Sequence, residues 1–133
     1  MLLGEIKAEA LTLMGINTLN ASYPDIDNLK SHPTYSGYLY AMVGAINRAL
    51  DRFVTVGAID DIDRITHKTS ETNELGIDDA LARIIPYYIV GEVFAIDEPN
   101  VSANCRSMFE QLLEEYIGAN RQGSVVVEYT VGG

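Results

Sequence analysis

Apolar residues recur with helical spacing in four places along this chain. Leu3, Ile6, Ala10, Leu13 and Met14 fall near one face of a first helix, Leu3 to Met14, with Gly15 as a natural stop. Asn17 to Lys30, rich in Asn, Ser, Asp and Pro, reads as a surface loop. A second helix, Thr34 to Phe53, holds the period most closely, through Tyr35, Tyr38, Leu39, Met42, Val43, Ile46, Ala49, Leu50 and Phe53. Ser31 and Thr34 are its candidate N-caps, and Pro33 falls near its first turn. Beside that stripe runs a second row, Ala41, Ala45, Arg48 and Arg52. Small residues admit another backbone, and the arginines would then find carboxylates on it. The plainer reading is a solvated edge, with Asp51 partly neutralising Arg48.

The third pattern, Asp78 to about Ala95, is apolar on nearly every side: Leu81, Ile84, Ile85, Tyr87, Tyr88, Ile89, Val90, Val93 and Phe94. A helix without a polar face is a buried one. Few helices of so small a domain can be surrounded by their own chain, so a neighbouring subunit is expected to cover part of this one. Pro86 is expected to bend it, because the apolar period continues across the proline; the alternative is a helix that begins near Pro86 after a separate turn. The fourth helix runs from Glu98 to Tyr116 or Ile117, capped by Asp97, with Pro99 in its first turn. "DEPN", residues 97–100, thereby closes an αα-hairpin over 79–117.

Two stretches lack the helical period. Val54 to Gly76 mixes β-branched and polar residues, and predicts one or two short strands, near Val54–Val56 and Arg64–Thr69, within a long excursion. In the tail, residues 123–133, Val125, Val127, Tyr129 and Val131 alternate with Val126, Glu128 and Thr130, which predicts a half-buried strand over Ser124–Val131. Such a strand needs a partner from the middle segment or from another chain. The expected fold is mainly α: a single domain, 1–133, of four helices with a small β element.

Composition narrows the classes. With 133 residues, 47% of them hydrophobic, the chain can pack one ordinary core. A net charge of -10 is expected to repel bulk DNA and anionic lipid. Cys105 is the only cysteine, so no intramolecular disulfide is possible and a reducing compartment fits. The longest apolar region, around 80–96, includes Arg83, Pro86 and Glu92, which argues against a membrane span; Glu5 and Glu9 argue against a signal peptide.

The search for catalytic chemistry returns little. No glycine-rich phosphate loop, HExxH or nucleophile elbow is present. His32 and His67 are far apart, with no group placed to orient either as a base, and read as solvated or packing residues. Cys105 lies on an apolar stripe, as a small buried hydrophobe would. Asp60, Asp61 and Asp63 lack the spacing and the glycine of a calcium loop and read as a solvated acidic turn. No catalytic, cofactor or metal residue is therefore assigned.

Three stretches in order, "GEIKAEALTLM", "YLYAMVGAINRALDRF" and "IDDALARIIPYYIVGEVFAIDEPNVSANCRSMFEQLLEEY", resemble the head–tail connector proteins (adaptor, or head-completion, proteins) of bacteriophages with long non-contractile tails. Most of the likeness sits in "INRALDRF" and in "IPYYI…DEPN…R..FEQ.L"; it spans about residues 4–117, with little from 54–76. The motifs are packing patterns rather than chemical signatures. The resemblance implies a non-catalytic virion protein, assembled in the bacterial host cytoplasm and located in the neck between capsid and tail. It implies a homo-oligomeric ring, typically twelvefold, seated on the portal and joined to a downstream neck, stopper or tail protein. DNA would pass through without specific binding. On that view Arg48, Arg52, Arg83 and Tyr87 are candidate subunit-interface residues, and Val125, Val127 and Tyr129 would add a strand to a neighbour.

Two rivals remain. A small acidic regulator or inhibitor acting on one protein partner accounts for the charge equally well, and would form a one-to-one complex rather than a ring. An enzyme using Asp60, Asp61 and Asp63 would need a site constellation that the sequence does not display.

Overall fold

The computed structural model describes residues 1–16 and 25–132, with side chains described through residue 120. Its order is α1 (Leu3–Leu13), α2 (Ile26–Leu29), α3 (Tyr35–Thr55), α4 (Asp79–Ala82), α5 (Ile85–Val93) and α6 (Pro99–Gly132). The short α5 lies at the centre, packed against α1, α3 and α6. Ile85, Ile89 and Val90 are fully buried there, each such side chain contributing about 1.5–3 kcal/mol. The chain itself thus covers the inner face of this 9-residue arm, while Tyr87, Tyr88 and Val93 stay part-exposed.

That arm is short because of Pro86. The proline has no N–H for a bond four residues back, and a break there leaves it in the first turn of α5, where the missing donor costs nothing. The continuous, bent helix expected from Asp78 to Ala95 is therefore two helices, with α4 closed at Arg83 and Ile84 by bonds to Asp79 and Leu81. Asp78 caps α4, accepting from the Ala80 N–H at 3.0 Å.

Both α1 and α3 end on a glycine in the left-handed region. Gly15 has φ +76° and Gly57 φ +76°. In each case the following residue donates five residues back, Ile16 to Leu11 and Ala58 to Phe53, both at 2.8 Å. The start of α3 differs from expectation: neither Ser31 nor Thr34 caps it with a side chain. His32 does, its Nδ1 accepting from the Thr34 and Tyr35 N–H groups at 3.1 and 3.3 Å while its ring stacks on Tyr35. Asp97 does not cap α6 either. It accepts from the Tyr38 hydroxyl at 3.0 Å, and Glu98 precedes the helix, its carbonyl taking the first bond, from Ser102.

The expected β element is absent: among the described residues there is no strand or sheet, only an isolated bridge between Leu2 and Glu74. The segment read as a strand at Val54–Val56 is the end of α3. Ile65, in the second, meets a side chain instead of a strand. Asn47 on α3 donates to the Ile65 carbonyl and accepts from its N–H, both at 2.9 Å. One carboxamide satisfies what a neighbouring strand would have satisfied. Farther on, the excursion lies against the start of α1, where the Leu3 and Gly4 N–H groups donate to the Asn73 and Glu71 carbonyls at 2.9 and 2.8 Å.

The tail is likewise no strand, since α6 continues to Gly132. With no partner strand, an isolated extended segment leaves its backbone groups unpaired, whereas a helix pairs them internally. Gly118 does not stop α6; a glycine inside a helix costs only about 1 kcal/mol.

Replacing Asn47 with alanine removes both bonds to Ile65 at once. The expected result is a loss of about 1–3 kcal/mol together with faster hydrogen exchange at Ile65, read by denaturant unfolding and exchange mass spectrometry. Unchanged exchange would show that the excursion is held by other means.

Candidate functional site

On α3, Arg48 and Arg52 stand one turn apart and reach in the same direction. Arg48 lies back over Gly44, whose missing side chain leaves the room, and grips Glu92 of α5 with two nitrogens at 2.6–2.9 Å. Arg52 reaches Glu110 of α6 at 2.8 Å. Ala45, between them and the core, is fully buried, whereas Ala41 at the start of the row faces water. The small-and-arginine row therefore finds its carboxylates on α5 and α6 of the same chain. Asp51 pairs with Arg64 of the excursion at 2.7 Å and acts on Arg48 only through its charge, more weakly than Glu92 does. Glu92, by bonding the Arg48 guanidinium, holds its proton still more firmly. Both pairs are part-exposed, and exposed pairs contribute only about 0–1 kcal/mol each; their weight here is positional.

Next to these pairs a cleft of about 400 Å³ opens between α5 and α6, lined by Tyr88, Gly91, Glu92, Arg106, Phe109 and Glu110. Its floor is aromatic. Tyr88 meets Phe109 edge to face at 4.9 Å, and Phe109 stacks on Phe53 at 6.0 Å. Gly91 makes the close crossing possible: its carbonyl accepts from the Ser102 hydroxyl at 2.6 Å and from Arg106 Nε at 3.0 Å. A Cβ on Gly91 would stand 2.7 Å from Arg106 Cγ.

The remaining interface candidates lie apart from this cleft. Arg83 and Tyr87 come together with Glu9, Thr12, Leu13 and Pro86 in a second depression, between α1 and the start of α5. Val125, Val127 and Tyr129 belong to α6 rather than to a strand, and their side chains lie outside the described residues.

Sequence reasoning missed Lys7, buried on α1, which bonds Glu71 of the excursion at 2.9 Å. It also missed the exposed stack of Tyr40 on His67. Neither pairing leaves a local signal, because the partners are tens of residues apart. Burial pushes the Cys105 thiol up, which keeps it protonated and poorly nucleophilic. Among the described residues no group of three His, Cys, Asp or Glu could hold a metal ion, and no helix is long and apolar enough to cross a membrane. What this surface offers is a shaped aromatic recess with a charged rim, suited to contact.

No protein-family model matches the chain, and no curated protein or solved structure matches it either.

Two measurements test the geometry. Helix propensity alone favours alanine over glycine by about 1 kcal/mol, but overpacking costs about 1–3 kcal/mol. Gly91→Ala should therefore destabilise the native chain, and become neutral or stabilising when combined with Arg106→Ala, as urea midpoints would show. Tyr38 carries a second prediction. Its bond to Asp97, then burial, raise the phenol above its ordinary 10.0. A raised folded value means that the contribution is full below that pH and is lost as pH climbs through the folded value. The stability gap between the native chain and Tyr38→Phe should hold from neutral pH to about 10 and close above it; a gap independent of pH would remove the bond from the account.

Proposed function

We propose that this chain is a structural subunit of a tailed-phage neck: an adaptor that forms a ring on the portal, joins it to the next neck or tail protein, and leaves a channel for DNA. The observation that carries the reading is the uneven αα-hairpin. At 1.5 Å per residue the 9 residues of α5 span about 14 Å and the 34 of α6 about 51 Å, so α6 extends well beyond the arm it packs on. A helix so much longer than the arm it packs on has length available for a partner, as a subunit wedged between two larger assemblies requires. The order of helices along the chain, and the likeness of "INRALDRF" and "DEPN" to connector proteins, point the same way.

Charge supports it as well. Lys7, Lys30, Arg48, Arg52 and Arg64 are all engaged in ion pairs within the chain. Exposed carboxylates such as Asp60, Asp63, Glu98 and Glu114 have no such partner among the described residues. The net -10 is thus displayed outward, and a wall of that sign repels phosphate and lets DNA slide. The reading assigns no catalysis and no cofactor.

The test is to mix the protein with the assembled portal encoded in the same genome and to image the product by electron microscopy. The expected result is an added ring, twelvefold like its platform, with an open centre. Bare portals beside free protein would overturn the proposal, and a one-to-one complex with another protein, weighed by native mass spectrometry, would favour the regulator reading.

A further inference from the structure

Ile96 is 91% exposed at the turn joining α5 to α6, the most exposed large hydrophobic side chain among the described residues. Asp97 and Glu98, both exposed, follow it. The turn is not slack. Tyr38 holds Asp97 by a 3.0 Å bond, and the Glu98 N–H donates to the Phe94 carbonyl at 3.0 Å. An apolar knob flanked by two carboxylates is therefore presented in a fixed shape, which lowers the entropy cost of docking it.

The cleft on the same hairpin has the complementary character. Its floor is Tyr88 and Phe109, and Gly91 adds no side chain. Of its rim charges, Glu92 is held by Arg48 and Glu110 by Arg52. Arg106 is left over: its Nε bonds the Gly91 carbonyl, and it makes no ion pair among the described residues. On a protein of net charge -10 this is a local positive site over an aromatic floor. The knob does not fill the cleft of its own chain: Ile96 is almost fully exposed and is not among the residues that line it.

We infer that the Ile96–Glu98 turn of one copy seats in the Tyr88–Phe109 cleft of the next, with Ile96 on the aromatic floor and the Asp97 and Glu98 carboxylates toward Arg106. The two patches differ, so the contact is heterologous and propagates around a ring. This inference rests on the reading of the chain as a ring subunit, for which it supplies the repeating contact. It also places Arg48 and Arg52 at the edge of that contact, where they hold the rim glutamates rather than bridge subunits.

The experiment replaces Ile96 with the photo-crosslinking residue p-benzoylphenylalanine in the full chain, and irradiates it both free at high concentration and on the portal. Cross-linked peptides are then mapped by mass spectrometry. Links should join residue 96 of one copy to the peptides holding Tyr88–Glu92 or Arg106–Glu110 of another. Arg106→Glu should reduce them at least about tenfold, the scale of a hot-spot loss, and adding Glu98→Lys to the same chain should restore them. Ile96→Asp, a change at an exposed site that does not touch the core, should abolish self-association in sedimentation velocity. Links from residue 96 to residue 96, no intermolecular link, or links indifferent to Arg106→Glu would overturn the contact. Portal rings lacking these links would sink the contact and leave the adaptor reading standing. The links without portal binding would do the reverse.

Discussion

Everything in this fold answers to a helix that has no polar side to show. α5 must be enclosed, and α1, α3 and α6 are laid around it to do so. The demand shapes the covering helices in turn. α3 presents its stripe of Leu39, Met42, Ile46, Ala49, Leu50 and Phe53, and α6 presents Cys105, Phe109 and Leu113. Where α6 crosses most closely, Gly91 gives up its side chain, and its carbonyl is bonded twice from α6. Glu92, the one charged residue of the arm, escapes at its end and is met by Arg48. Without that outlet the helix would carry a carboxylate into the core at a cost of several kcal/mol.

The excursion from α3 back to the start of α1 follows a different rule. Among the described residues there is no sheet for it to join, and its backbone is satisfied piecemeal. Asn47 serves Ile65 as a strand would, and Arg64 ties the loop to Asp51. At its far end Glu71 and Asn73 receive the first N–H groups of α1, which a helix always leaves without internal partners. Glu71 does double duty, its carboxylate meeting buried Lys7. Residues that look polar and idle in the sequence thus tie this excursion to the helical body.

Charge is organised in the same way. The cations lie mostly along the seams between elements, each beside a carboxylate of the same chain, while the surplus acids stay on the outside. Arg48 and Arg52 were readable as a pair in search of carboxylates, because a four-residue spacing puts them on one side of a helix. That the carboxylates would be Glu92 and Glu110 was not readable, since nothing in the spacing says which chain supplies them. The cleft beside them was invisible for the same reason: it is the space left between two helices, not a property of either.

Local period was enough for the sequence to place α1, α3 and the turn between a buried apolar arm and the helix after it, but not where that arm begins or where the second helix ends. Apolar spacing, glycine stops and the "DEPN" turn are each settled within a few residues of chain. Tertiary structure alone decided what each unpaired backbone and each uncommitted face would meet. Pro86 allowed either a bend or a fresh start, and the fresh start left no carbonyl or ring in conflict. The alternation at Ser124–Val131 suited a strand, but a strand exists only with a neighbour to bond, and without one the backbone closed on itself as α6. A periodic pattern records what a segment could bury; only the assembled chain decides what there is to bury it against.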